Sequence, residues 1–151
     1  HQYAAQTLIA PDGPLSQKYT SVSTMVLGRC ERLERIDAPE MESLLEDYAR
    51  VLYQEGWQGP LNIQCKKDAQ GHWKVHEINL RMSGGTSARL LTGYDELGCL
   101  LNTFYPALDF ADLSTDLAPK GVVVRSLTDT FIAQKDMQQF AEQGYWQSET
   151  L

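Results

Sequence analysis

The chain contains several short runs rich in β-forming residues and bounded by turn signals, a pattern typical of β-strands. We predict strands over residues 3–10, 19–29, 60–66, 72–80 and 121–127. The turn sequence Pro11-Asp12-Gly13-Pro14 separates the first two runs, so an antiparallel hairpin is expected there. Residues 30–36 alternate charged and apolar side chains and support no firm prediction.

Helical periodicity is clearest from Asp37 to Glu55. The apolar side chains there recur at the spacing of one buried helix face: Met41, Leu44, Leu45, Tyr48 and Leu52. Asp37 is predicted to cap this helix, with Glu40 completing a capping box, and Pro39 is tolerated in the first turn. Gly56 is placed to end the helix in a left-handed conformation. We interpret this helix as scaffold.

A second helix is predicted between Asp95, which can cap it, and Pro106, which ends it. Its apolar residues again follow helical spacing: Leu97, Leu100, Leu101 and Phe104. The order is therefore strands, helix, strands, helix, strand. Hairpins with few crossover helices predict an α+β fold, with an antiparallel sheet and flanking helices.

Composition narrows the function. The 151 residues suffice for one domain or one lobe of a larger domain, and the absence of an initiator Met suggests a piece of something longer. Lys and Arg total 13 against 20 Asp and Glu, and a net charge of −7 argues against nucleic-acid binding. No apolar run approaches the roughly 20 residues of a membrane span, and no signal peptide is recognisable.

The cysteines, Cys30, Cys65 and Cys99, are odd in number and widely spaced. They predict buried thiols in a reducing cytosol and no disulfide framework, and no CxxC pair supports a zinc site. The phosphate-binding motifs GxGxxG and GxxxxGK[ST] are also absent, which argues against a dinucleotide-binding fold or a P-loop.

Candidate chemistry concentrates in residues 59–93. In the predicted 60–66 strand, Asn62 and Gln64 point away from its apolar face. In the 72–80 strand, we expect one face to carry Trp73, Val75, Glu77 and Asn79. A four-residue turn at 68–71 or 69–72 places Gln64 on the same face as Glu77, opposed or diagonal.

Gln64, Glu77 and Asn79 thus offer three side-chain oxygens with one negative charge. This set suits Mg²⁺ completed by a nucleotide polyphosphate, and suits neither zinc nor a calcium cage. Arg81 follows, and then the segment Ser83-Gly84-Gly85-Thr86-Ser87. A helix starting near Thr86 would turn free N–H groups toward an anion, so Arg81 and this segment predict a phosphate grip.

These residues carry a resemblance. The motifs Asn62-Ile63-Gln64, Glu77-Ile78-Asn79-Leu80-Arg81 and Ser83-Gly84-Gly85 resemble the catalytic end of an ATP-grasp domain. The type is that of the carbamoyl-phosphate synthase large chain and related carboxylate–amine ligases. The opening strand resembles the one that follows the family's adenine hinge. Leu80 stands where the family usually has Pro, and Gln2 where an acidic residue is common.

The resemblance implies that Gln64, Glu77 and Asn79 hold Mg²⁺ (or Mn²⁺) on the β- and γ-phosphates of ATP. It implies that Arg81 contacts the transferred phosphoryl group or the acyl-phosphate of a small carboxylate substrate. Residues 1–105 would form the C-terminal lobe, and 106–151 an extension of it whose strand near 121–127 offers Arg125 to the substrate.

The resemblance also implies a missing lobe. The family's phosphate-binding lysines and adenine hinge lie in a first half that would have to be supplied in cis or in trans, and homo-oligomerisation stays open. Two other interpretations remain: a non-catalytic binding or assembly module that keeps the fold, and an unrelated antiparallel α+β domain with a solvated polar face.

Overall fold

The computed structural model describes residues 2–14, 17–108, 121–126 and 129–144. Its centre is an antiparallel sheet: β1 Gln2–Ala10, β2 Gly13–Pro14, β3 Tyr19–Val26, β4 Arg29–Arg35, β5 Gly59–Lys67, β6 Trp73–Asn79, β7 Gly121–Arg125 and β8 Asp129–Ala133. The strand order is β6-β5-β1-β3-β4-β7-β8, and β2 pairs with β1. The helices are α1 Pro39–Gln54, α2 Thr86–Leu91, α3 Glu96–Phe104 and α4 Met137–Gln143. The predicted α+β class is confirmed.

The predicted hairpin of the first two long strands is confirmed, because β1 pairs antiparallel with β3. The second predicted strand, 19–29, is too long, because it includes a chain reversal and the first residue of β4. It ends at Val26, and Leu27 and Gly28 reverse the chain with positive φ angles of 49° and 78°. Residues 30–36, for which no prediction was firm, lie mostly in β4, which continues the sheet and pairs with β7.

The helix predicted from Asp37 begins later than expected. It starts at Pro39, its N-cap is Ala38, and no side chain caps it by a hydrogen bond, so the expected capping box of Asp37 and Glu40 is wrong. A proline at the first helical position needs no partner for its missing N–H, which lets the helix begin there without a cap. Gly56 follows its end with a φ of 87°, as expected.

The two faces of the sheet differ in how far helices cover them. Helix α1 packs its apolar stripe on one face, where the core comprises Ala5, Ile9, Leu61, Ile63, Cys65, Met41, Leu45 and Ala49. The other face is covered only in part, by a smaller cluster that joins the sheet to α2 and α3: Tyr19, Leu33, Ala88, Tyr94 and Val123. The remainder of that second face is polar and open.

Helix α3 is capped by Asp95, whose carboxylate accepts a hydrogen bond of 2.8 Å from the Gly98 amide, as predicted. Its predicted apolar face is only partly buried, since Leu97 is 46% exposed. The elements β2, β8 and α4 escaped prediction. Leu127, the last residue of the predicted strand 121–127, lies outside the described residues. Within the described residues, no helix is long and apolar enough to cross a membrane.

Candidate functional site

The hairpin of β5 and β6 brings two of the candidate residues into direct opposition. Gln64 pairs with Glu77, and Asn62 pairs with Asn79. The turn is longer than either four-residue turn considered from the sequence, because β5 ends at Lys67 and β6 begins at Trp73. A register shift between Gln64 and Cys65 compensates, since Cys65 pairs with Val75 and His76 is left over.

This β-bulge corrects the expected face of β6. Trp73 and Val75 pack against the core beneath α1, opposite Cys65 and Lys67. Glu77 and Asn79 lie across from Gln64 and Asn62, which belong to the other face of β5. Because the bulge inserts one residue at His76, the strand changes face between Val75 and Glu77. Gln64, Glu77 and Asn79 therefore lie on the face of the hairpin opposite Trp73 and Val75.

Hydrogen bonds hold these side chains in place, and the cation site itself stays a prediction. Asn79 Nδ2 donates to Glu77 Oε1 over 2.8 Å, which holds the amide beside the carboxylate. Gln2 Nε2 donates to Gln64 Oε1. A carbonyl oxygen has two lone pairs, so this hydrogen bond leaves one free for a metal ion.

The donor set is therefore two amide oxygens and one carboxylate, with Glu77 exposed and able to reach a ligand. The described residues contain no group of three or more His, Cys, Asp and Glu that could hold a metal. Any cation at Gln64, Glu77 and Asn79 would thus depend on phosphate oxygens or water to complete its coordination, as Mg²⁺ commonly does.

Arg81 and the glycine-rich segment follow β6 at the open end of the hairpin. Arg81 is exposed, and its Nη1 donates to the Met82 carbonyl oxygen over 3.0 Å. Helix α2 begins at Thr86 as expected, but the Thr86 amide donates to the Ser83 carbonyl oxygen over 3.1 Å. The turn therefore uses the Thr86 amide itself, and the expectation that N–H groups at the start of this helix face an anion stays a prediction.

Sequence reasoning missed a buried ion pair beside this turn. Arg89 and Glu96 are each 2% exposed, and Arg89 Nη2 contacts Glu96 Oε2. Arg89 Nη1 also donates to Ser83 Oγ over 3.0 Å, and Thr86 Oγ1 donates to Glu96 Oε2 over 2.8 Å. The pair thus ties α2 and α3 to the start of the glycine-rich turn. The available signal was a pair of opposite charges on neighbouring helices. Exposed ion pairs give the same sequence pattern, so the burial of this pair could not be predicted.

A cleft of about 790 Å³ opens over the polar part of the sheet. Residues of β1, β3, β4, β5, the glycine-rich turn and the end of β7 line it: Gln2, Ala4, Gln6, Ser21, Ser23, Met25, Gly28, Arg29, Cys30, Glu31, Leu33, Asn62, Gln64, Ser83, Gly84, Gly85, Arg89, Arg125 and Ser126. As far as the described residues outline it, Gln64 is the only one of the four candidates in the lining. Glu77, Asn79 and Arg81 lie beside the cleft on β6 and the segment after it. The expectation that Arg125 is near a substrate stays a prediction, and Arg125 lies in the lining.

The thiols are poor candidates for nucleophiles. Burial raises the pKa of Cys65 to about 11 and also raises the pKa of Cys99. Both thiols therefore stay protonated near neutral pH, where the thiolate is the reactive form. All three cysteines are free. His72 and His76 are exposed on the hairpin, and His72 lies 3.5 Å from the Asp68 carboxylate.

Several solved structures share this fold, and they are ATP-grasp enzymes. The phosphoribosylaminoimidazole carboxylase ATPase subunit from Aquifex aeolicus superposes with a TM-score of 0.62 at 12% identity, over 82% of this chain and 37% of that one. An ADP complex of N5-carboxyaminoimidazole ribonucleotide synthetase gives 0.59 at 14% identity, over 95% and 37%. The biotin carboxylase–β,γ-ATP complex from Campylobacter jejuni gives 0.57 at 15% identity, over 82% and 29%.

At these identities the likeness establishes the fold: the chain has the architecture of part of an ATP-grasp domain. The chain spans 37% of the length of the Aquifex aeolicus subunit and 37% of that of the synthetase. No protein-family model matches the sequence, and no curated protein matches it.

Proposed function

We propose that this chain forms the Mg-ATP-binding lobe of an ATP-dependent carboxylate–amine or related ligase. The observation that carries the proposal is the cross-strand pair of Gln64 and Glu77, with Asn79 hydrogen-bonded to Glu77, beside a cleft in an ATP-grasp fold. Among the neighbours are an ATPase subunit, an ADP complex and an ATP complex.

The proposed reaction has two steps. A substrate carboxylate attacks the γ-phosphorus of ATP, ADP leaves, and an acyl-phosphate forms. An amine then attacks the acyl carbon, and phosphate leaves with the bond electrons. Such chemistry depends on positioning and charge neutralisation more than on a general base. A bound Mg²⁺ would offset the charge on the phosphate oxygens.

Each candidate residue has a distinct task in this proposal. Glu77 would supply the negatively charged ligand for Mg²⁺. Gln64 and Asn79 would supply neutral oxygens, so the positive charge that remains on the ion can offset the negative charge of the phosphates. Arg81 would contact the transferred phosphoryl group or the acyl-phosphate. Its exposed guanidinium contacts only a neighbouring carbonyl oxygen among the described residues, so turning toward an anion would cost little. The phosphate-binding lysines and adenine hinge would come from a second lobe, in cis or in trans.

The test is Glu77→Gln in the complete protein. Because this substitution removes the only carboxylate of the proposed site, we expect Mg-ATP affinity to fall by about tenfold or more, a loss typical of damaged metal sites. Isothermal titration with Mg-ATP measures it. Glu55→Gln is the matched control, since it makes the same charge change at the exposed end of α1. Unchanged Mg-ATP binding in Glu77→Gln would remove the metal assignment.

A further inference from the structure

The floor of the cleft consists of three buried, uncharged polar side chains on neighbouring strands. Gln6 on β1 and Ser21 on β3 are 1% exposed, and Asn62 on β5 is 2% exposed. All three line the cleft. Gln6 pairs directly with Asn62, and Ser21 pairs with Ala4, whose small side chain adds little bulk above the floor. The floor is more buried than Gln64 and adjoins the proposed metal ligands, because Asn62 pairs with Asn79, but none of its three residues is one of them.

These floor residues carry polar atoms without a hydrogen-bond partner among the described residues: Gln6 Oε1, Gln6 Nε2, Ser21 Oγ and Asn62 Oδ1. Leaving a buried polar atom unpaired destabilises a fold, so folded proteins keep few of them. Thr20 shows the contrast on the opposite face of β3. It is equally buried, but its Oγ1 donates to the Ile36 carbonyl oxygen. The hydroxyl of Thr20 is therefore paired within the fold, whereas the polar atoms of the floor have no partner among the described residues.

The chemistry of the floor defines that partner. Gln6 offers both a donor and an acceptor, Asn62 offers an acceptor, and Ser21 offers a hydroxyl that serves as either. A carboxylate or phosphate only accepts hydrogen bonds, so it would leave Gln6 Oε1 and Asn62 Oδ1 unpaired. A neutral amide or hydroxyl carries both a donor and an acceptor, so it can pair with both kinds of floor atom. The arginines of the lining, Arg29, Arg89 and Arg125, lie on β4, α2 and β7.

We propose that Gln6, Ser21 and Asn62 form the recognition site for a neutral N–H- or O–H-bearing end of the second substrate. This inference rests on the proposed function, because it takes the cleft beside Gln64 and Glu77 as a substrate site. It adds that the group seated at the floor is an amide or a hydroxyl. The carboxylate end is thereby left to the arginines and the metal-bound phosphates.

The first test needs no ligand. Ser21→Ala and Gln6→Met remove unpaired polar atoms with little change of volume, so in the ligand-free protein we expect the Tm to rise by about 1–3 °C. Thr20→Val is the matched control on the same strand. It removes a paired hydroxyl, and we expect its Tm to fall. A lower Tm in both floor variants would show that the floor is already satisfied within the protein and would overturn the proposal.

The second test compares acetamide with acetate, which have nearly the same shape but differ in charge and in donors. In saturation-transfer NMR on the complete protein, acetamide should receive saturation from wild type and from Thr20→Val. Its signal should fall at least threefold in Gln6→Met and in Ser21→Ala, while the acetate signal should not depend on the floor. No acetamide contact in wild type, or an equal signal in the floor variants, would overturn the proposal.

These outcomes are distinguishable from failure of the proposed function. Neither floor test contains nucleotide, and both floor variants should bind Mg-ATP as wild type does. If the complete wild-type protein does not bind Mg-ATP, the proposed function fails whatever the floor binds. If Glu77→Gln loses Mg-ATP and the floor variants show no change in Tm or in acetamide contact, only the floor assignment fails.

Discussion

Arg89 illustrates how one side chain sets the shape of the region beside the cleft. Its guanidinium contacts Glu96, Ser83 and Thr86 while almost no part of it reaches solvent. A buried ion pair adds little net stability relative to apolar side chains, but losing one partner is severely destabilising. The pair therefore acts mainly to fix geometry. It holds the glycine-rich turn in one position relative to α3.

The turn packs so closely on Arg89 that one glycine there is required and its neighbour is not. A Cβ added at Gly85 would lie 2.8 Å from Arg89 Nη1, whereas one added at Gly84 would meet no atom within 4 Å. We expect Gly85→Ala to lower the free energy of unfolding by about 1–3 kcal/mol, because Arg89 cannot move without breaking its buried contacts. Gly84→Ala should change it by less than about 0.5 kcal/mol. Urea denaturation measures both, and equal effects would contradict this account.

Among the elements, the β5–β6 hairpin decides where the candidate metal ligands stand. Its five-residue connection alone would put Gln64 out of step with Glu77, and the bulge at His76 restores the pairing. A slip of one residue would turn Glu77 into the core beside Val75, since side chains alternate faces along a strand. The turn is held by Asp68, whose carboxylate accepts hydrogen bonds from the backbone N–H groups of His72 (2.8 Å) and Gln70 (3.0 Å).

This turn should make stability depend on pH. The hydrogen bond from the His72 backbone is the main cause that lowers the pKa of Asp68 below its usual 3.8, with help from the Gln70 backbone and from His72 and Lys74 charges. A lowered pKa in the folded state means that the stabilisation is complete above pH 3.8 and is lost as the pH falls through the folded-state value.

We therefore expect the Tm of Asp68→Asn to lie below that of wild type near pH 7, with the gap closing below about pH 4. Thermal melts from neutral pH to about pH 2.5 measure the gap. Asp47→Asn, on the exposed side of α1, makes the same charge change away from the turn and is the control. A gap that stays constant to the lowest pH would show that the Asp68 charge contributes nothing.

At the scale of the whole molecule, the two faces of the sheet differ: one is packed against a helix and the other carries the cleft. Helix α1 closes the first face, and the second carries the cleft with its polar floor. The proposed anion site lies in a chain of net charge −7. Local groups must therefore provide the attraction, because the overall field of an acidic chain opposes a polyphosphate.

If the proposed function is right, residues 1–151 alone should bind Mg-ATP weakly. The chain spans 37% of its first two structural neighbours, and the resemblance assigns the adenine hinge and the phosphate-binding lysines to the remainder. We expect the isolated chain to bind at least about a hundredfold more weakly than the complete protein, as one side of a two-sided site. Isothermal titration of both forms decides this. Equal affinity would show that the site is complete within these residues.

Much of the fold could be predicted from local signals. The period of Met41, Leu45 and their neighbours predicted α1, and Asp95 predicted the start of α3. The pairing of Gln64 with Glu77 was expected from a four-residue turn, but it forms through a five-residue connection and a bulge. The start of α1 could not be predicted as well, because Asp37 matches the pattern of a capping residue and the chain instead uses Pro39. A sequence pattern states a preference, and neighbouring packing selects among preferences.

The sequence by itself determined the α+β class, the candidate ligands Gln64, Glu77 and Asn79, and the glycine-rich turn, because each depends on residue types and spacing within a few turns of chain. Only the tertiary structure decided the bulge that separates Glu77 from Val75, the burial of Arg89 against Glu96, and the unpaired floor of Gln6, Ser21 and Asn62. These features depend on contacts between strands and helices that are distant in sequence. Whether a polar side chain is solvated, paired or left for a ligand is determined by what packs around it, and local spacing carries no record of that.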